Sequence, residues 1–282
     1  MMNHDEHRSR QALILEEVLD ILRNDNRVLG ITAIGSYARG EQDAFSDLDI
    51  GCYLHDEERR GRQELYDQVG EIAPLLCRLW IYDVNALYLF ENGVRLDLDF
   101  YRPSDTQKHT GYMRSSTVIL HDPDGILAAS LHLSDQPEAP AHPKWFEPGD
   151  PTFVDWFFWM FRQIVCWAKR AAQSGSRAFE KLTAAVDSLA QVRTRLVEMR
   201  LWTLGGHTGW QAYLSQADPA CAQRLAQTYP RFQAAEVIAC ARLLLDEYER
   251  LCPAYCQKVG LPYPAHKVDV MRSLIAEFEQ LG

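Results

Sequence analysis

The chain has 282 residues, of which 47% are hydrophobic and 24% charged, a balance that predicts a buried core and argues against extended disorder. Its formal net charge of −10 argues against a protein that follows a nucleic-acid backbone, because such proteins need clustered Lys and Arg. No apolar run approaches the roughly 20 residues of a membrane-spanning helix. The N-terminus does not resemble a secretory signal and the seven cysteines form no CxxC pair, so we expect reduced thiols in a cytoplasmic protein.

The first half of the chain mixes helical and strand periodicities, which indicates an α+β domain. The predicted helices span residues 9–24 and 64–79, and the predicted strands span 28–34, 47–54, 84–90, 94–101 and 118–121. Pro74 lies near the middle of the second helix and predicts a kink or an end there. Asn92-Gly93, between two strand-like runs, indicates a hairpin, and Asp122 begins a turn or caps a short helix.

The second half is helical almost to its end. Its helices are predicted over 152–173, 177–204, 220–229, 234–259 and 265–281. A proline-rich stretch precedes them, so we predict a first domain over 1–135, a linker over 136–150 and a helical bundle over 151–282. The aromatic run from Trp156 to Phe161 indicates a buried bundle core or a dimer contact.

Two acids begin the second predicted strand. Asp47 and Asp49 are two residues apart, so their carboxylates project from the same face. Two like charges this close raise each other's pKa unless a cation lies between them. Mg²⁺ suits such a pair, because it accepts carboxylate oxygens and completes its octahedron with phosphate and water.

A glycine-serine turn precedes these acids. Gly35 lets the backbone approach a phosphate, and the Ser36 hydroxyl and neighbouring N–H groups can bind phosphate oxygens. Ser46 offers a further hydroxyl, and Arg39 is a candidate charge partner for a triphosphate. These residues predict a site for a nucleoside triphosphate such as ATP.

A second acidic pair lies on the outgoing hairpin strand. Asp97 and Asp99 also share one face, and either could supply a third carboxylate, as a metal ligand or as the base that takes a proton from an acceptor hydroxyl. The residues alone leave the choice between them open.

The spacing of Gly35-Ser36 and Asp47/Asp49 resembles the signature of the polymerase-β-type nucleotidyltransferases. The stretches 41–47, 92–100 and 119–125, with the helical second half, resemble the lincosamide and aminoglycoside antibiotic nucleotidyltransferases. The resemblance implies a catalytic domain over 1–135 and a bundle that binds the acceptor and forms a homodimer. It further implies Asp47, Asp49 and Asp97 as catalytic metal ligands, with Asp97 as the base, and nucleotide contacts from Ser36 and Arg39.

The resulting expectation is a Mg²⁺-dependent transfer of AMP from ATP to a hydroxyl of a small antibiotic, with release of pyrophosphate. Two alternatives keep the nucleotide site. One is the adenylylation of a partner protein, and the other is a nucleotide sensor without catalysis. The absence of a basic cluster disfavours a polymerase role.

Overall fold

The computed structural model describes residues 4–55, 62–81, 85–104, 117–130, 148–150, 152–173, 177–205 and 214–281. The chain divides into two compact units, residues 2–145 (the sheet unit) and residues 146–282 (the helical unit). The predicted linker over 136–150 falls outside the described residues except for 148–150. No helix in the described ranges combines the length and the apolar character that a bilayer crossing requires.

The sheet unit contains a six-stranded mixed sheet with flanking helices, as the α+β prediction required. Its elements are α1 His4–Asn24, β1 Val28–Ile34, α2 Gly35–Ala38, β2 Leu48–Leu54, α3 Arg62–Gly70, β3 Leu75–Ile81, β4 Asn85–Phe90, β5 Arg95–Tyr101, β6 Thr117–His121 and α4 Ile126–Ser130. The strand order is β3-β4-β5-β2-β1-β6. β2 and β5 run parallel, whereas the other neighbours are antiparallel.

Side-chain alternation separates the two faces of this sheet. Leu96 and Leu98 of β5 are fully buried in the hydrophobic core, which also contains Val18 and Leu22 of α1. Asp97 lies between these leucines and Asp99 follows Leu98, so the same strand presents carboxylates on the opposite face. The Leu-Asp alternation therefore places a core on one face and an acidic site on the other.

Two predictions in this unit need correction. The predicted helix over 64–79 is wrong in its second half, because α3 ends at Gly70 and β3 begins at Leu75. Pro74 cannot donate a helical hydrogen bond, and Leu75 pairs with Phe90 of β4 instead. The helix predicted over 9–24 begins five residues earlier, because α1 spans His4–Asn24.

Local turn chemistry agrees with the sequence elsewhere. Gly93 adopts a φ of 83° between β4 and β5, and its N–H donates to the Phe90 carbonyl at 2.9 Å. Asp122 caps α4 by accepting hydrogen bonds from the backbone N–H groups of Leu127 and Ala128. The predicted hairpin and cap are both confirmed.

The helical unit contains α5 Thr152–Gln173, α6 Ala178–Thr203, α7 Leu214–Ala217, α8 Pro219–Ala226, α9 Ala234–Val259 and α10 Ala265–Gln280. α5 packs against α6, α9 and α10. Phe157, Phe158 and Phe161 of α5 are fully buried, which supports the prediction of a bundle core. Gly260, with a φ of 75°, ends α9 in the left-handed conformation that favours glycine.

Candidate active site

The register of β2 against β5 brings two predicted acids side by side. Asp49 is the direct neighbour of Asp97 in the parallel pair, and Gly51 is the neighbour of Asp99. Asp47 immediately precedes β2 and, two residues from Asp49, lies on the same face. The sheet thus gathers acids that are 50 residues apart in the chain at one end of its polar face.

Gly35 brings the start of α2 against this acidic group. Its φ is +70°, and a Cβ built at this position would lie 2.7 Å from Oδ2 of Asp49. Any side chain here would strain the backbone and collide with a carboxylate, so the close approach requires glycine. Gly35 and Ser36 begin α2, where helical N–H groups have no acceptor within the helix and can donate to phosphate oxygens.

Arg95 lies among the acids as their cation. Its side chain is almost buried, and its Nε and Nη2 donate to the two carboxylate oxygens of Asp97 at 2.8 and 2.5 Å. Its Nη1 is 3.2 Å from Oδ2 of Asp47. One guanidinium therefore bridges the third predicted acid and the first.

The electrostatics follow from this crowding. Burial, together with the charges of Asp97 and Asp47, raises the pKa of Asp49 to about 8, while Arg95 opposes the rise. Burial would lower the pKa of Arg95, but the charges of Asp47 and Asp97 raise it above its usual value. The acids are thus short of positive charge, and a further cation would relieve their repulsion.

The donor set fits Mg²⁺ through Asp47 and Asp49. Mg²⁺ is commonly held by one or two carboxylates and takes its other ligands from phosphate and water. Within the described ranges, no three His, Cys, Asp or Glu side chains are grouped as metal ligands. Asp97 is bound by Arg95 at both of its oxygens, and its role as a third ligand stays a prediction.

A cavity of about 720 Å³ opens between α1 and the loop that follows α2. Arg8 and Glu16 of α1 line it, together with Tyr37 of α2 and Gly40 of the loop that follows. Of the three acids, only Asp47 belongs to the lining residues that the structure describes. The cavity therefore reaches one edge of the acidic group and is not centred on it.

Comparisons with known proteins identify the family to which the chain belongs. The family model described as streptomycin adenylyltransferase matches residues 8–277. The chain belongs to the streptomycin adenylyltransferase family. It is a nucleotidyltransferase, and the resemblance to antibiotic nucleotidyltransferases is confirmed at that level. The match does not test the lincosamide branch.

The chain is also similar to a crystal structure of an aminoglycoside 6-adenyltransferase from Bacillus subtilis, with 15% sequence identity. The similarity covers 95% of this chain and 97% of that chain, with a TM-score of 0.33. A comparison with curated proteins gave no match.

In this member of the streptomycin adenylyltransferase family, Asp99 has partners of its own. Asn85 Nδ2 donates to its Oδ1 at 2.5 Å, and the Tyr101 hydroxyl donates to its Oδ2 at 3.0 Å. Asp97, by contrast, is the direct neighbour of Asp49. The register thus pairs Asp97, and not Asp99, with Asp49, and the role of Asp97 as the third acid stays a prediction.

Two other predicted nucleotide contacts lie within local networks of the family member. Ser46 is 1% exposed, and its hydroxyl donates to Oδ1 of Asp43 and accepts from the Asp43 backbone N–H. Arg39 donates from Nε to Glu41 at 2.7 Å. Nucleotide binding by Ser46 and Arg39 stays a prediction, and the observed contacts show that both shape the loop between α2 and β2.

Arg95 is the residue that sequence reasoning missed. The sequence carries a signal for it, because Arg95, Asp97 and Asp99 alternate on one strand and must share a face. What the sequence does not show is the bridge to Asp47, which depends on the pairing of two strands far apart in the chain.

Proposed function

We propose that this chain transfers AMP from ATP to a hydroxyl of an aminoglycoside, with streptomycin as the first acceptor to test. The observation that carries the proposal is the placement of Asp49 between Gly35 and Asp97, which joins a phosphate-binding turn to paired acids. The family description supports the acceptor class. The net charge of −10 suits a cationic acceptor.

In the proposed reaction, the acceptor hydroxyl oxygen bonds to the α-phosphorus of ATP, the bond from that phosphorus to the bridging oxygen breaks, and pyrophosphate leaves. The N–H groups at Gly35 and Ser36 orient the phosphates. Asp47 and Asp49 would hold Mg²⁺, which when bound supplies charge neutralisation at the triphosphate.

Asp97 accepts the proton of the acceptor hydroxyl. A carboxylate offers about four acceptor sites, so Asp97 can receive this hydrogen bond while Arg95 remains bound to it. Arg95 fixes the orientation of the carboxylate beside Asp49 and stabilises its ionised form.

The test is an assay of the purified full chain with ATP labelled at the α-phosphate and, separately, streptomycin, kanamycin and lincomycin. We expect labelled streptomycin and an equal amount of pyrophosphate, with both products lost in EDTA. Asp97→Asn should remove the transfer, whereas Asp20→Asn, at an exposed position on α1, should not.

Other outcomes would redirect or end the proposal. Label on lincomycin alone would move the acceptor to the lincosamides, and label on a protein would indicate a protein target. ATP binding without transfer to any acceptor would contradict the proposal. The proposed homodimer is tested separately by sedimentation velocity.

A further inference from the structure

The helical unit contains a cavity of about 460 Å³ between α6, α8 and the start of α7. Its volume falls within the range of about 300–1,000 Å³ that is usual for small-molecule sites. Most of its wall is apolar, with Val197, Leu214, Ala222 and Leu225 among its lining residues. Arg193 is the one charged side chain among the lining residues that the structure describes.

Arg193 is held firmly at this wall. It is 8% exposed, and its Nη1 donates to the Thr228 carbonyl at 2.5 Å. The ring of Tyr229 covers the guanidinium, with its centroid 3.9 Å away. Thr228 is itself buried and donates to the Leu225 carbonyl. The guanidinium is therefore preorganised rather than free to swing into solvent.

The charge of Arg193 is not compensated by an acid in the described part of the helical unit. The recorded partners are a carbonyl, a hydroxyl and an aromatic ring, and all of them are neutral. Residues 206–213, which connect α6 to α7, contain no Asp or Glu. Burial lowers the pKa of Arg193, but an arginine stays charged near neutral pH.

Two other arginines of the helical unit form ion pairs with acids. Arg224 forms a bidentate ion pair with buried Glu247, and Arg200 pairs with Asp218. A buried cation that lacks such a partner is costly, and an anion in the adjacent cavity would remove that cost.

We propose that this Arg193 cavity binds a small organic carboxylate, whose apolar body fills the cavity and whose oxygens accept from the guanidinium. One guanidinium matches one carboxylate in charge and in bidentate geometry. A dianionic phosphate would leave a second charge buried among apolar groups. The site is independent of the proposed transfer reaction, whose expected acceptor is a cation.

The test is a ¹⁹F NMR titration of the full-length chain with 4-fluorobenzoate and with the neutral isostere 4-fluorobenzamide. We expect the carboxylate to bind at least about tenfold more tightly than the amide, as a charge-assisted hydrogen bond would give. Arg193→Met should reduce carboxylate binding to the level of the amide. Ala222→Leu keeps the charge but fills the cavity, so it should weaken both ligands.

Three results would overturn this inference. The first is equal binding of the two isosteres. The second is unchanged carboxylate binding in Arg193→Met, with circular dichroism as the check of folding. The third is displacement of 4-fluorobenzoate by an equal concentration of inorganic phosphate, which would show that the site recognises only the charge of the ligand.

Discussion

The two units use acidic side chains in opposite ways. In the sheet unit, Asp47, Asp49 and Asp97 crowd around Arg95, and the pKa of Asp49 rises to about 8. In the helical unit, several acids pair with arginines, among them Asp218 with Arg200 and Glu247 with Arg224. Burial would raise the pKa of Glu247, but its hydrogen bond with Arg224 helps to lower it below its usual value.

This difference agrees with the proposal that the crowded acids of the sheet unit bind a ligand, whereas the acids paired with arginines stabilise the fold. Crowded carboxylates destabilise the protein while no cation is bound, and a cation that binds between them removes this repulsion. Carboxylates that pair with arginines stabilise the fold and need no ligand. The comparison leads to four tests, from the largest expected effect to the smallest.

The largest effect is expected on catalysis. Asp47→Asn removes one of the two predicted Mg²⁺ ligands, so AMP transfer should fall by at least about 1,000-fold. Steady-state rates with streptomycin and ATP measure this, and Asp20→Asn is the matched control. A loss below about tenfold would mean that the crowded acids do not serve the reaction.

Replacing each of two buried arginines with methionine should have unequal effects on stability. Arg95→Met leaves the acids without their cation and should lower the free energy of unfolding by about 3–5 kcal/mol in EDTA. Arg193→Met removes a cation that has neutral partners, so the change should stay within about 1 kcal/mol. Hydrogen exchange in urea, read by mass spectrometry, reports each unit separately. Equal losses of unfolding free energy in the two variants would contradict the contrast between the two arginines.

The dependence of stability on pH should reveal the crowding at Asp49. Its folded pKa lies above its unfolded value of 3.8, so the protein loses stability as pH rises from about 4 to about 8. Asp49→Asn has no charge to acquire, and its advantage over the wild type should grow over the same interval. Thermal melts in EDTA at about pH 5, 7 and 9 test this, and parallel curves would contradict it.

The smallest expected effect concerns Asp218, whose contribution to stability grows as pH rises, in contrast to that of Asp49. Asp218 caps α8 by accepting from the Cys221 N–H, and this bond, with Arg200, lowers its pKa. Its stabilisation is complete above the usual pKa of 3.8 and is lost as pH falls through the lowered folded value. Asp218→Ala should cost about 1 kcal/mol near neutral pH and less in acid. Asp187→Ala, exposed on α6, is the control for urea unfolding.

Local patterns predicted most of the fold. The bounds 28–34 of β1, 152–173 of α5 and 234–259 of α9 agree with the structure, because periodicity and turn residues act over a few neighbours. The segment 75–79 was misassigned because its apolar residues suit either state, and pairing with β4 decides between them.

The same distinction applies to the candidate site. The alternation in β2 and β5 predicted which residues share a face. Strand pairing placed Asp49 beside Asp97, and strand pairing also brought Arg95 to Asp47. Such contacts depend on non-local register, which a single sequence does not specify.

The register of β2 against β5 also ties catalysis to parts of the molecule that never meet substrate. A slip of one residue would turn Leu96 and Leu98 toward solvent and bury the aspartates. The packing of these leucines in the core therefore fixes the strand register that aligns the acids on the opposite face. Enlarging or trimming Leu98 should therefore lower turnover although it removes none of the acids, so the activity depends on the core as well as on the site.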